Sequence, residues 1–263
     1  MRATTLYIFL TIVITLCTQS ACDTADATED TGLKVDPAAV AAAIGQSEAL
    51  FKQREDVQKL RDAVALLAKA RIANPRSFDL EWRFAKFNYF LGKQTKDEKE
   101  AEKTFSAGRD AGKIASNLQP DKPDGYFWYA ANLGEIARVN PLTGLTTIKD
   151  IQGAMNKVLE IQPDYQLSSA YDGLAQVELE TTGLLGGSAQ KAADLLEKAL
   201  QNEKTNAYLH LHLAEAYLDL KRMSDARKQV DAITQMKPTP GYEVEYRECL
   251  DEAKKMLVTR LNN

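Results

Sequence analysis

The sequence predicts an all-α fold, a solenoid of about five helical hairpins finished by a C-terminal capping helix. Three observations lead there. Apolar residues recur at helical spacing from Pro37 onward, and no stretch alternates with the period of two that a half-buried strand requires. Small and large residues return in a fixed order, seen best between Asn206 and Pro238. Charged residues make up 27% of the chain, with both signs interleaved and a net charge of -4, so solvated helix faces are expected and a basic nucleic-acid surface is not.

The stretch Asn206–Pro238 sets the register. Leu213 and Ala214 are followed by Tyr217, then by Ala226, Val230, Ile233 and Pro238. Small residues sit where two helices cross closely, larger ones fill the space beside them, and proline stops the second helix. This is the spacing of a tetratricopeptide repeat, two antiparallel helices in roughly 34 residues, with His210 where the opening tryptophan usually stands. Weaker copies lie upstream. The first pairs a poorly patterned helix, Ser47–Arg54, with a well-patterned one carrying Ala63, Leu67 and Ala70. The second opens at Trp82 with Ala85, Tyr89 and Phe90, and continues through Gly108, Gly112 and Ala115. The third runs from Trp128 to Pro163, and the fourth from Tyr171 to Lys204. Val244–Leu261 is the expected cap.

The register also shows where extra residues accumulate. From the opening aromatic to the first small residue of the second helix is 16 residues in the last repeat (His210 to Ala226), 21 in the fourth, 23 in the third and 26 in the second. The insertions fall at the turn inside each hairpin and so on one edge of the solenoid, where insertions often build a binding face. They are Lys93–Lys99, charged and able to extend the helices, and two apolar loops at Asn140–Thr147 and Thr181–Ser188. Pro141, Leu142 and Leu145 in one, and Leu184 and Leu185 in the other, are candidate partner contacts, because exposed apolar loops call for a partner or a place to fold back.

The N-terminus has its own pattern. Met1-Arg2, an apolar run from Leu6 to Leu16, and Ser20-Ala21-Cys22 have the layout of a secretory signal peptide. Residues 1–21 are expected to be removed, with lipid added at Cys22. Gln19 stands where a lipobox usually has leucine, and plain secretion and an uncleaved anchor are the other readings. Residues 22–36, acidic and rich in Thr and Ala, read as a flexible tether, and 37–263 as the repeat domain. The expected address is the periplasmic side of a bacterial envelope, lipid-anchored to a membrane. After such processing only Cys249 remains, which reads as a packing residue.

No catalytic constellation is visible, and no cofactor or metal is expected. His210 and His212, two apart on a helix, point to different sides and cannot share a metal. Gly183–Gly187 lacks the lysine and hydroxyl of a phosphate loop and reads as a turn before a helix capped by Ser188. The concave face, lined by the first helices, is the candidate binding surface. In repeats two and three it is expected to carry Arg83, Phe87, Phe90, Tyr126, Tyr129 and Leu133, aromatics with one cation suited to an apolar or anionic small molecule or to a peptide segment. Rings that merely fill space between repeats are the other reading of the same residues.

Two blocks go beyond generic repeat spacing. They are Gly125-Tyr126-Phe127-Trp128-Tyr129-Ala130-Ala131-Asn132-Leu133-Gly134, and Gly183-Leu184-Leu185-Gly186-Gly187-Ser188 followed by Lys191-Ala192 and Leu196 to Leu200. With the lipoprotein-like start they resemble the T-component family of tripartite ATP-independent periplasmic (TRAP) transporters, over most of residues 37–240. The resemblance implies a non-enzymatic periplasmic lipoprotein that associates with a solute-binding protein, as an oligomer with a ligand-holding channel. A general scaffold lipoprotein that binds peptides or proteins in an envelope assembly is the alternative.

Overall fold

Capping groups and prolines set the helix boundaries in the computed structural model, which describes residues 36–139, 141–183 and 186–261. The expected signal sequence, Cys22, most of the tether, Leu184 and Leu185 lie outside the described residues. α1 (Pro37–Phe51) starts behind Asp36, whose carboxylate accepts from Ala38 N and Ala39 N, with proline at its first position. α2 (Val57–Ala73) is capped by Asp56, and α4 (Glu98–Leu118) by Asp97. Between them runs α3 (Phe78–Gln94), followed after α4 by α5 (Pro123–Val139) and α6 (Pro141–Ile161). The remaining pairs are α7 (Tyr165–Glu180) with α8 (Ala189–Asn202), and α9 (Ala207–Asp219) with α10 (Met223–Gln235). α11 (Glu243–Met256) ends in a π-helical turn, Leu257–Leu261.

The pairing is that of a hairpin solenoid: each helix packs on its sequence neighbours, and the first helices α3, α5, α7, α9 and α11 also pack on one another. Among the described residues the only β pairing is an isolated bridge, Thr182 with Gly187. The all-α expectation therefore holds.

Two expectations are corrected. The segment Pro141–Leu145, read as an apolar loop, is the first turn of α6, and Asn140 alone separates it from α5. Proline fits a first helical turn because its missing N–H would have no intrahelical partner there. The extra residues of repeat three thus lengthen its helices. The first helix is not Ser47–Arg54 but the longer α1, which passes through Gly45 and leaves Arg54 in the turn before α2. Lys93–Lys99 also mostly extends helices, with only Thr95–Asp97 between α3 and α4.

Close packing explains the glycine-rich register of repeat two. A Cβ on Gly112 would lie 2.5 Å from the backbone nitrogen of Tyr129, and one on Gly108 would lie 2.2 Å from Asn132 Oδ1. Asn132 is fully buried and donates through Nδ2 to Ala85 O (3.1 Å) and Trp128 O (2.7 Å), tying α5 to α3. The block Gly125–Gly134 is therefore largely a packing motif, with Gly125 meeting Ser116 N of α4 in the same way. Gly112→Ala should cost about 1–3 kcal/mol, because the contact is with backbone and neither helix can yield locally. A urea-unfolding midpoint equal to that of the parent would exclude the close approach.

The core has two parts. One runs from Val40 to Leu174 and includes the stacked rings of Phe51 and Phe87, 4.4 Å apart and nearly parallel. The other runs from Ala175 to Leu261. They meet across α7, whose first turn is not helical: Gln166, Leu167 and Ser168 have φ of 49°, 56° and 61°. Left-handed backbone is costly for side-chain-bearing residues, about 1–2 kcal/mol each, so the neighbours must hold it. Asn206 does so. Its Nδ2 donates to Leu167 O (2.9 Å) and Ser169 Oγ (3.1 Å), while its Oδ1 accepts from Tyr208 N and caps α9.

A second fixed joint lies at the α3–α4 turn. Arg61 on α2 grips Glu100 with two bonds of 2.7 Å, and Thr95 Oγ1 donates to the same carboxylate. The Arg61 hydrogen bonds, then that of Thr95, lower the Glu100 pKa to about 2. A depressed carboxylate contributes stability that is complete above its unfolded value of 4.5 and is lost as pH falls through the folded value. Glu100→Gln should therefore flatten the loss of stability between about pH 4.5 and pH 2. Equal acid sensitivity in parent and variant would rule this out.

Candidate functional site

Stacking the first helices side by side leaves a concave cavity of about 570 Å³ on their inner face. Tyr89, Phe90 and Lys93 of α3 and Phe127, Trp128, Ala131, Glu135 and Arg138 of α5 line it at helical spacing. Ile148, Ile151 and Met155 come from α6, Asp172, Gln176 and Glu180 from α7, Tyr208 and His212 from α9, and Glu245, Tyr246 and Glu248 from α11. Phe127, Trp128, Ile151 and Met155 are buried and form its apolar floor. Glu180 and Glu248 are exposed and stand at its rim.

The last helix closes off part of this concavity. Arg54, in the turn of the first hairpin, reaches Glu245 at the start of α11 with Nη2–Oε2 2.6 Å and Nε–Oε1 3.1 Å, and donates to Gly241 O at 2.8 Å. Its guanidinium lies 4.9 Å from the Phe51 ring centroid and 5.7 Å from that of Phe90. Only 7% of the Arg54 side chain and 16% of Glu245 remain exposed. Arg247 pairs with Glu55 on the same seam, at exposed positions where an ion pair adds little. The two ends of the solenoid are thus clasped together.

Carboxylates from separate helices converge inside. Glu135 is held by Lys93 (3.3 Å) and Arg138 (2.7 Å), Asp172 lies 2.6 Å from His212 Nδ1, and Glu248 accepts from Tyr208 Oη at 3.2 Å. Burial, and after it the charges of Glu135, Asp172 and Glu248, push the Tyr89 phenol up. Burial and then Glu248 do the same to Tyr208. His212 is raised: burial alone would lower it, but the charge and hydrogen bond of Asp172, with the charge of Glu215, together outweigh that. His210 faces elsewhere, 2.8 Å from Gln229 Oε1, so the two histidines diverge as their spacing implies.

The residues expected on the binding face are distributed differently. Phe90 lines the cavity. Phe87 and Leu133 are buried in helix packing. Arg83 is engaged by Glu48 (3.3 Å) and Asp79 (2.9 Å) and covers Trp82. Tyr126 and Tyr129 are half-buried against the first core. Pro141, Leu142 and Leu145 fall within α6, and of their side chains the structure describes nothing. The residues that sequence reasoning missed are Tyr89, Phe127, Trp128 and the carboxylates of α7 and α11. The pair Phe127-Trp128 lies in the aromatic block, whereas nothing local marks Glu245 or Glu248. Cys249 beside them is fully buried, and burial pushes its thiol up, as befits a packing residue.

Fold and cavity together define a tetratricopeptide-type helical-repeat protein with a partly walled concave face. A tetratricopeptide repeat model matches residues 184–243. The model described as regulator of microtubule dynamics protein 1-3 matches residues 43–174, which is 132 of 263 residues, and the chain belongs to that family. The activity in the name is that of the proteins it was coined for. Neither match is to the transporter component family, so what stands of that resemblance is its repeat architecture. No curated protein matches the chain. Among solved structures it is similar to a thermophilic TPR protein of Thermus thermophilus, with a TM-score of 0.60 and 19% identity over 81% of this chain and 99% of that one. It is also similar to PilF of Pseudomonas aeruginosa, with a TM-score of 0.56 and 16% identity over 86% and 94%. The family match ends at residue 174, where the first core also ends.

Proposed function

We propose that the chain is a non-enzymatic, membrane-tethered helical-repeat protein of the bacterial envelope that uses its concave cavity to hold a ligand and present it to a partner protein. The observation that carries this is the partial closure of the inner face. A scaffold for extended peptides is served by a groove open along its length, whereas here α11 and the Arg54–Glu245 clasp wall part of the inner face, leaving about 570 Å³ above an apolar floor. Tethering through Cys22 and a periplasmic address are supported by the N-terminal pattern of the sequence. A periplasmic solute-binding protein of a TRAP-type transport system is the partner that the sequence resemblance names.

The test is an affinity pull-down of the protein from envelope extract, with mass spectrometry of retained proteins and small molecules. Recovery of a solute-binding protein together with a retained small molecule is the expected result. Recovery of envelope assembly factors with no small molecule would replace this reading with that of a general scaffold.

A further inference from the structure

We propose that the concave cavity binds a small organic cation, an ammonium or guanidinium group carried on an apolar body. The proposal rests on the reading of this cavity as the binding site and names the chemistry of what enters it. Size comes first: about 570 Å³ falls within the roughly 300–1,000 Å³ of small-molecule sites. The walls of five first helices and the clasp suit a molecule taken in whole better than a helix laid along a groove.

Charge decides the class. Five carboxylates line the cavity, Glu135, Asp172, Glu180, Glu245 and Glu248, against two permanent cations, Lys93 and Arg138. Both pair with Glu135, one carboxylate against two positive charges. Asp172 is taken by His212, and Glu245 by Arg54, which approaches from the first hairpin. Glu180 and Glu248 are left: among the described residues neither has an ion-pair partner within 4 Å, and Arg138 is the cation whose charge reaches Glu180. An anion entering here would face five lining carboxylates against Lys93 and Arg138, with Lys86, whose ammonium lies 5.8 Å from the Trp128 ring centroid, as the further cation beside the floor. A cation would gain charge-assisted hydrogen bonds at the rim. Its apolar body would replace water over Phe127, Trp128, Ile151 and Met155, and the tyrosine faces of the wall favour a positive group. Arg83, the cation expected on this face, is occupied by Glu48 and Asp79.

The experiment is isothermal titration of the full chain with three molecules of one shape: phenylbutylamine, phenylbutanol and phenylbutyrate. The amine should bind at least about tenfold more tightly than the alcohol or the acid, and Glu180→Gln with Glu248→Gln should erase that preference. Both positions are exposed, so the double variant should keep its helix content, which circular dichroism checks. Equal or tighter binding of the alcohol or acid overturns the cationic class and leaves the cavity as a binding site. Failure of all three overturns both the class and the use of this cavity for small ligands. If the amine binds and also displaces a protein recovered from extract, the recognition chemistry stands, and its natural source is a basic side chain of that protein rather than a free amine.

Discussion

Replacing Arg54 by alanine should destabilise the closed solenoid by about 3–5 kcal/mol, since it leaves Glu245 without its partner in a mostly buried position. The loss should be local. α11 and the turn after α1 are joined across 191 residues of sequence by this side chain, whereas α3 to α6 are held by their own hairpin contacts. Hydrogen exchange should therefore rise most in α11, least in α4 and α5. A control separates charge from closure: Arg54→Met with Glu245→Met removes both charges together and should recover much of the loss, because a paired burial replaced by apolar groups is close to neutral. Unchanged exchange in α11 upon Arg54→Ala would show that the clasp holds nothing. The same variant should weaken retention of any ligand, since the enclosing wall moves with α11.

Asn206→Ala is the second large effect, expected at about 2–4 kcal/mol. One amide performs two tasks there, capping α9 with its oxygen and holding the left-handed turn of α7 with its nitrogen. Losing the cap costs about 0.5–2 kcal/mol, and leaving the carbonyl of Leu167 unpaired costs about 1–3 kcal/mol. The terms overlap, so the sum is smaller than their maxima. Asn206→Asp distinguishes the tasks, because it keeps an acceptor for Tyr208 N and removes both donors. Thermal unfolding should place Asn206→Asp between the parent and the alanine variant. If aspartate is as stable as asparagine, the α7 turn is held by something else.

The fold was legible because its signal is local. Ala214, Tyr217, Ala226 and Val230 meet within one hairpin, and the same distances recur upstream, so spacing alone defines the architecture. Pro141 was misleading for a physical reason: proline punctuates loops, yet it is equally at home in the first turn of a helix. The cavity was harder to read. Periodicity marks an apolar stripe on α3 and α5 but not which part of it meets the next hairpin and which part faces the groove. Phe87 and Leu133 turn into the packing, while their neighbours Tyr89, Phe90, Phe127 and Trp128 face inward. The acidic wall from α11 depends on where the chain returns after ten helices. Arg54 and Glu245 carry no local mark of each other.

That return of the chain has a consequence for how this protein can change. An open solenoid grows or shrinks by whole hairpins, since each unit touches only its neighbours and a new one adds an interface like the old. Here the first turn must meet the last helix, so a duplicated or deleted hairpin anywhere between them would carry Glu245 away from Arg54. The repeat number is therefore held constant by geometry rather than by the stability of any one repeat, and variation in length is confined to the interior of each hairpin, in its turn and in the lengths of its two helices.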